Sequence, residues 1–83
     1  MQTITYLRTI CEQHTRIEGV TSAKKLPNKV MAMVNHALAL IGHLLDELQK
    51  PHYNSAYMER QIADLTKRVD IIEAGLLSLD LDA

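Results

Sequence analysis

The sequence predicts an all-α protein of three helices, in which the second and third form a long antiparallel hairpin and the first is shorter and amphipathic. Three observations support this fold class. Apolar residues recur at three- and four-residue steps along three segments. Proline and glycine separate these segments. In the last two segments the steps alternate between three and four residues, which is the seven-residue repeat of packed helices.

The first helix is predicted over about residues 3–18. Its apolar side contains Cys11 and His14, which lie three residues apart and could pair as nucleophile and base. Because both belong to the apolar stripe, we interpret Cys11 as a small buried hydrophobe and His14 as a partly buried imidazole. Gly19 is expected to end the helix as a left-handed cap. The full stripe is Ile4, Leu7, Ile10, Cys11, His14 and Ile17.

The second helix is predicted over about residues 27–50. Leu26 precedes a proline and is pushed out of helical geometry, whereas Pro27 suits the first helical position. Pro51 ends the helix near Lys50. The apolar seam of this helix is Val30, Val34, Ala37, Ile41, Leu44 and Leu48.

Two further apolar rows widen the seam of the second helix. The flanking rows are Met31, Leu38 and Leu45 on one side and Met33 and Leu40 on the other. A helix with one neighbour needs only a narrow stripe, so this helix is expected to lie between several helices. Gly42 stands on its remaining side and costs about 1 kcal/mol relative to alanine. Close approach of another backbone would account for Gly42, and an unexceptional exposed glycine is the alternative.

The third helix is predicted over about residues 55–79, after a turn in which Asn54 or Ser55 supplies the N-cap. Gly75 could end the helix early, but the seam continues beyond it and favours an end near Leu79. The acidic tail, residues 80–83, is expected to fray. The seam of this helix is Met58, Ile62, Leu65, Val69, Ile72, Leu76 and Leu79.

The composition suggests that one chain does not complete its own core. The chain has 83 residues, of which 47% are apolar, without any Phe or Trp. A chain of this size buries only roughly 63% of its unfolded surface. Because the first helix is expected to cover only part of the hairpin, we predict one domain over residues 1–83 that pairs into a dimeric assembly resembling a four-helix bundle.

The predicted interface lies on the second and third helices and the turn between them. Tyr53 and Tyr57 flank that turn, where they would either contact a partner or close the end of the bundle. The full predicted set is Val30, Met31, Val34, Leu38, Ile41, Leu45, Leu48, Tyr53, Tyr57, Ile62, Leu65, Val69 and Ile72.

No catalytic pattern is present in the sequence. It contains no glycine-rich phosphate loop, no serine elbow and no convincing pair of carboxylates. His43 with Glu47 and Asp46 could form half of a metal site, but such spacings are common by chance. His36 lies two helical turns from His43, too far to share one ion within a helix. We therefore expect no enzymatic activity, no catalytic residue, no metal and no cofactor.

The charge is nearly balanced overall but differs between the two halves. Nine basic and ten acidic residues give a formal charge of −1, which removes the electrostatic drive that nucleic-acid proteins rely on. Residues 1–42 hold five basic and two acidic residues, and residues 43–83 hold four and eight. Unlike halves favour head-to-tail or antiparallel pairing, with ordinary scatter as the alternative.

The sequence points to a cytoplasmic protein. Cys11 is the only cysteine, so no disulfide forms within the chain, which is typical of a reducing compartment. Residues 1–16 do not resemble a signal peptide. The longest uncharged stretch, residues 30–45, is shorter than the roughly 20 residues of a membrane span.

These observations favour a small non-enzymatic interaction protein that binds a protein partner stoichiometrically through its helices. A chaperone, an adaptor, an antitoxin-like regulator and a mobile-element inhibitor are examples of this class. The partner is another protein, a second copy in a homodimer, or both, and we expect no small-molecule substrate and no membrane. The alternative is a nucleic-acid-binding regulator that uses the basic N-terminal half. The long first connection and the apolar second helix argue against that alternative.

Overall fold

Three helices make up the computed structural model, which describes residues 2–23 and 25–82. They are α1 Gln2–Ala23, α2 Asn28–Leu48 and α3 Ser55–Asp82. The chain runs up, down and up, so α1 and α3 are parallel and α2 is antiparallel to both. The molecule measures 48 × 19 × 19 Å. The predicted all-α fold and the close packing of α2 on α3 are confirmed.

Helix α1 continues past Gly19, and the prediction that this glycine ends the helix is wrong. Within the described part of the chain, no residue has a positive φ, so Gly19 does not form a left-handed cap. The helix continues because Val20 is buried and extends the packing of α1 on the rest of the chain. Burial of an apolar residue outweighs the modest helix-breaking preference of one glycine.

Helix α2 is slightly shorter than predicted. Pro27 is the N-cap, with φ −60° and ψ 157°, and stands one residue before the helix. Its carbonyl oxygen accepts a hydrogen bond from the Met31 amide at 3.0 Å. At the other end Gln49 is the C-cap, and its amide donates to the Asp46 carbonyl. The helix therefore ends two residues before Lys50.

The start of α3 is fixed by the predicted cap. The amide of Tyr57 donates a hydrogen bond to Oδ1 of Asn54 at 2.9 Å. Asn54 thus satisfies one of the free amides of the first turn, which confirms one of the two caps proposed from the sequence.

Gly75 does not end α3. The helix runs through it to Asp82, three residues beyond the predicted end at Leu79. Residues 80–82 of the predicted frayed tail are helical, and Ala83 lies outside the described residues. The side chains of residues 76–82, which include the last seam positions, also lie outside the described part of the chain.

The core is built by all three helices of one chain. Helix α1 packs against α3 as extensively as α2 does, and it contacts α2 less. Its 22 residues span about 33 Å, which matches the length of α2, so α1 covers more of the hairpin than the sequence suggested. The buried apolar residues are Tyr6, Ile10, Ile17, Val20, Leu26, Val30, Val34, Ala37, Ile41, Leu44, Met58, Leu65, Val69 and Ile72.

Helix α1 is rotated relative to the predicted stripe. Ile10 and Ile17 are buried as expected, but Ile4, Leu7 and Cys11 are exposed, and the interpretation of Cys11 as a buried hydrophobe is wrong. The buried side instead follows steps of four, three, four and three residues. This repeat is not obvious in the sequence because its central residue, Gln13, is polar. Its members are Tyr6, Ile10, Gln13, Ile17 and Val20.

Candidate interaction surface

At its N-terminal end, one flank of α1 is joined by polar contacts to α3 and to the turn that precedes it. The hydroxyls of Thr3 and Tyr53 lie 2.5 Å apart, and the Tyr6 hydroxyl donates to Glu59 Oε1 at 3.1 Å. The rings of Tyr6 and Tyr53 pack edge to face, with centroids 6.1 Å apart. Burial raises the pKa of Tyr6, and the hydrogen bond to Glu59 raises it further. Tyr53 therefore closes this end of the bundle.

Farther along the same flank, Arg16 bridges the two helices. Its Nε donates to Glu73 Oε2 at 3.1 Å, and Nη2 donates to Glu73 Oε1 and, at 2.7 Å, to Asp70 Oδ1. Its Nη1 donates to Oε1 of the buried Gln13 at 2.8 Å. The hydrogen bonds that Arg16 donates to Glu73 and Asp70 raise its pKa, and the same contact with Arg16 lowers the pKa of Glu73.

The flank of α1 that faces α2 is more open. Within the described part of the chain, no ion pair joins α1 to α2. His14 instead pairs with Glu18 along α1, with Nδ1 and Oε1 2.8 Å apart. A groove of about 400 Å³ runs between the two helices, lined by Ile10, Cys11, His14, Thr15, Ile41 and Leu45.

Exposed apolar side chains follow both edges of this groove. On α2, Met31 and Leu38 are each 37% exposed and share a row with Leu45, because residues seven apart lie on one side of a helix. On α1, Leu7 is 38% exposed and stands one turn before Cys11, and Ile4 lies in the same row as Cys11. We name these residues the α1–α2 face: Ile4, Leu7, Cys11, Met31, Leu38 and Leu45.

Most of the exposed large apolar side chains lie on this face. Among the described residues, five large apolar side chains are exposed, and four of them belong to the α1–α2 face. The fifth is Ile71 on α3. Scattered exposed apolar residues are normal on a protein surface, whereas a contiguous group marks an interaction site.

The solvent side of α2 also lacks formal charge over most of its length. Lys29 precedes this uncharged part and Asp46 follows it. The exposed residues between them are Met31, Ala32, Asn35, His36, Leu38, Ala39, Gly42 and His43. On α3, by contrast, the exposed side carries Glu59, Arg60, Lys67, Arg68 and Asp70. A helix side that is only solvated is normally charged, as that of α3 is.

The structure divides the predicted interface residues into three groups. Those in the core of the chain are Val30, Val34, Ile41, Leu65, Val69 and Ile72. Those packed against the core and partly buried are Leu45, Leu48, Tyr53, Tyr57 and Ile62. Only Met31 and Leu38 are exposed. Sequence reasoning missed Ile4, Leu7 and Cys11 as surface residues because their spacing also fits a core stripe.

Two of the residues considered for metal binding, His43 and Glu47, have other side-chain partners. Nε2 of His43 lies 2.6 Å from the Tyr57 hydroxyl, and Glu47 Oε1 accepts from Lys50 Nζ at 2.9 Å. The bond to Glu47 raises the pKa of Lys50. No group of three potential metal ligands occurs among the described residues.

His36 lies in a smaller groove between α2 and α3. The groove has a volume of about 200 Å³ and is lined by Met33, His36, Arg68 and Ile71. Arg68 Nε donates to Asp64 Oδ2 at 2.8 Å, so its charge is already partnered on α3. The groove therefore contains one imidazole and mainly apolar atoms, without a free cluster of charged groups.

No family model matches the chain, and the comparisons with curated proteins and with solved structures give no significant match. In the part of the chain that the structure describes, none of the helices is both long and apolar enough to cross a membrane.

Proposed function

We propose that this chain is a non-enzymatic interaction protein that binds another protein chain stoichiometrically through the α1–α2 face. The observation that supports this most strongly is the grouping of four of the five exposed large apolar side chains on one face. That face borders a helix side without formal charge, so a partner can cover it without desolvating an ion.

The core does not require this surface for folding. Leu44, Leu65 and Ile72 are fully enclosed by the three helices of one chain. The exposed apolar residues are therefore not needed to complete the core of a single chain. An excess of this kind on a small protein is typical of a binding surface.

We also keep the dimeric assembly predicted from the sequence as part of this proposal, but with a different contact surface. Because α1 already covers the α2–α3 seam, a second chain would contact the α1–α2 face instead of that seam. We also propose a cytoplasmic location, since the thiol of Cys11 is exposed and a reducing compartment would keep it free.

The nucleic-acid alternative receives less support. It depends on the basic residues of the N-terminal half, and Arg16 is engaged by two carboxylates of α3. The exposed side of α2 carries no basic residue between Lys29 and Lys50 that could contact phosphate.

The proposal is tested by exchanging one exposed apolar residue on each side of the molecule. Leu38→Glu alters the α1–α2 face, and Ile71→Glu is the matched control on α3, where the side chain is 49% exposed. Both variants and the parent chain are purified under mild conditions from the cells in which the chain occurs. Circular dichroism and thermal melting establish that both variants are folded.

We expect the parent chain and Ile71→Glu to elute in a complex of fixed stoichiometry, with themselves or with another protein, and Leu38→Glu to elute alone. A complex that survives Leu38→Glu, or a parent chain that forms no complex, contradicts the proposed function.

A further inference from the structure

We propose that Tyr57 is a site of covalent modification, at which the phenol hydroxyl accepts an acyl group from an activated ester while His43 takes its proton. The site lies between the C-terminal part of α2 and the first turn of α3. It is separate from the α1–α2 face and does not depend on the proposed function. The modification is stoichiometric, with one acyl group on each chain.

The hydroxyl of Tyr57 has a base within hydrogen-bond reach. It lies 2.6 Å from Nε2 of His43, and the two rings pack edge to face with centroids 6.1 Å apart. When Nδ1 carries the imidazole proton, Nε2 accepts the hydroxyl proton. A hydroxyl bonded to an imidazole is the arrangement by which proteins activate a weak nucleophile.

Both side chains are held in place by the fold. The amide of Tyr57 donates to Oδ1 of Asn54, which fixes the first turn of α3, and the Tyr57 ring packs against the core. His43 belongs to the regular part of α2 and lies five residues before the end of the helix at Leu48. The nucleophile and the base therefore meet without a further loss of conformational freedom.

A cation lies beside the pair. Lys50 interacts electrostatically with Tyr57, and its Nζ donates to Oε1 of Glu47 at 2.9 Å. An ammonium has three N–H donors, so two remain for the negative oxygen that forms when the hydroxyl adds to a carbonyl. The bond to Glu47 raises the pKa of Lys50, and Tyr57 raises it further. The amine therefore stays protonated and does not compete for the acyl group.

The local charge favours a neutral donor. Lys50 and Glu47 cancel each other, and Asp46 next to them adds a negative charge. A phosphate ester carries negative charge and gains no net attraction from this site. A carboxylic ester is neutral and is not repelled, so it is the class of donor that fits.

In the reaction, Oη of Tyr57 forms a bond to the carbonyl carbon of the ester, and its proton moves to Nε2 of His43. The tetrahedral intermediate then breaks the bond between this carbon and the leaving oxygen, which keeps the electron pair and takes the proton from the imidazolium. The products are an acyl ester of Tyr57 and an alcohol or phenol. No oxidant or reductant takes part.

The other two tyrosines lack such a base. The hydroxyl of Tyr53 lies 2.5 Å from Oγ1 of Thr3, which does not take up a proton at neutral pH. Tyr6 is 7% exposed, so a reagent has little access to it. Tyr53 and Tyr57 are both partly buried against the core, and Tyr53 is therefore a matched control within the same chain.

The test treats the folded chain with an excess of p-nitrophenyl acetate at about pH 7.5, where a free imidazole is mainly neutral. Mass spectrometry of peptides taken over time gives the rate of acetylation at each residue. Tyr57 should be acetylated at least about tenfold faster than Tyr53, because a positioned base contributes at least this much.

Two histidine variants separate the action of the base from the position of the tyrosine. His43→Gln keeps a polar side chain beside Tyr57 but removes the base, so the rate at Tyr57 should fall to that at Tyr53. His36→Gln is the matched control, because it removes an exposed imidazole seven residues earlier in α2 and should leave the rate unchanged. Circular dichroism establishes that both variants are folded.

Equal rates at Tyr57 and Tyr53 in the parent chain overturn the inference. Fast acetylation of Tyr57 that persists in His43→Gln also overturns it, as does acetylation of Lys50 before Tyr57.

Discussion

The two flanks of α1 are stabilised in different ways. Toward α3, the hydroxyl of Tyr6 and the guanidinium of Arg16 bridge the helices through hydrogen bonds to Glu59, Asp70 and Glu73. Toward α2, the contact is a groove with apolar edges, and exposed side chains remain on both sides of it. On the α3 flank, the polar groups are paired by hydrogen bonds within the chain. On the α2 flank, apolar side chains remain exposed to water.

This difference separates the parts of α1 that hold the fold from those available for binding. Polar bridges are directional and determine how α1 is rotated on the hairpin. Apolar contacts are not directional, so the α1–α2 face can bind another apolar surface without changing the fold.

The largest difference is expected between two neighbouring apolar residues of α1. Ile10→Ala should lower the free energy of unfolding by about 3 kcal/mol, because Ile10 is 1% exposed and its loss leaves a cavity. Leu7→Ala should cost less than about 1 kcal/mol, because the side chain already contacts water. Urea denaturation measures both values. Equal costs would show that the α1–α2 face is part of the core.

Removing the bridge to α3 should have a smaller effect. Arg16→Met should destabilise the fold by about 1 to 2 kcal/mol, because Oε1 of the buried Gln13 loses its donor along with the contacts to Asp70 and Glu73. Arg68→Met is the control, since it removes an exposed pair with Asp64 on α3 and should cost under about 0.5 kcal/mol. If chemical denaturation gives the two variants the same stability, the bridge does not hold α1 in place.

Substitution of Gly42 by alanine should stabilise the monomer. Gly42→Ala and Gly19→Ala should each raise the free energy of unfolding by about 1 kcal/mol, because alanine favours the helix and the added Cβ meets nothing within 4 Å. Thermal melts repeated over a range of protein concentrations separate the stability of the monomer from any effect of association. A loss of stability in Gly42→Ala under these conditions would mean that the backbone of Gly42 is already approached within the chain.

The smallest effect concerns pH. The pKa of Glu73 is lower in the folded chain than in the unfolded one because Arg16 stabilises its carboxylate. The resulting stability is complete above the unfolded pKa of about 4.3 and is lost as the pH falls through the folded pKa. Because Glu73 is half-exposed, the contribution should stay below about 1 kcal/mol. Urea denaturation should show a difference between the parent and Glu73→Gln at pH 7 that shrinks near pH 3. A constant difference would contradict this assignment.

Much of the hairpin could be predicted from local sequence. Pro27 and Asn54 fix the starts of α2 and α3 because one restricts backbone geometry and the other offers a capping oxygen. The seven-residue repeats of apolar residues predict which side of α2 and which side of α3 are buried. Gly19 and Gly75 were weaker guides, because a glycine ends a helix only when no packing continues beyond it.

The side of α1 that would be buried could not be predicted in the same way. Two rows of α1 contain apolar residues, and each has helical spacing, so the pattern alone fits two rotations. The candidate surface depends on that rotation, since the row left outside becomes one edge of the α1–α2 face. For the same reason the sequence identified Met31 and Leu38 as interface residues but assigned Leu7 and Cys11 to the core.

By itself, the sequence determined the number of helices, the limits of α2 to within two residues, the start of α3, and an outer side of α2 without charge over most of its length. Each of these features is set by residues that are close in sequence and belong to the same helix or to its ends. Only the tertiary structure decided which row of α1 faces inward. That choice depends on partners more than fifty residues away, among them Glu59 for Tyr6 and Glu73 for Arg16. Contacts between helices set the energy of each rotation, and a pattern along one helix does not contain them.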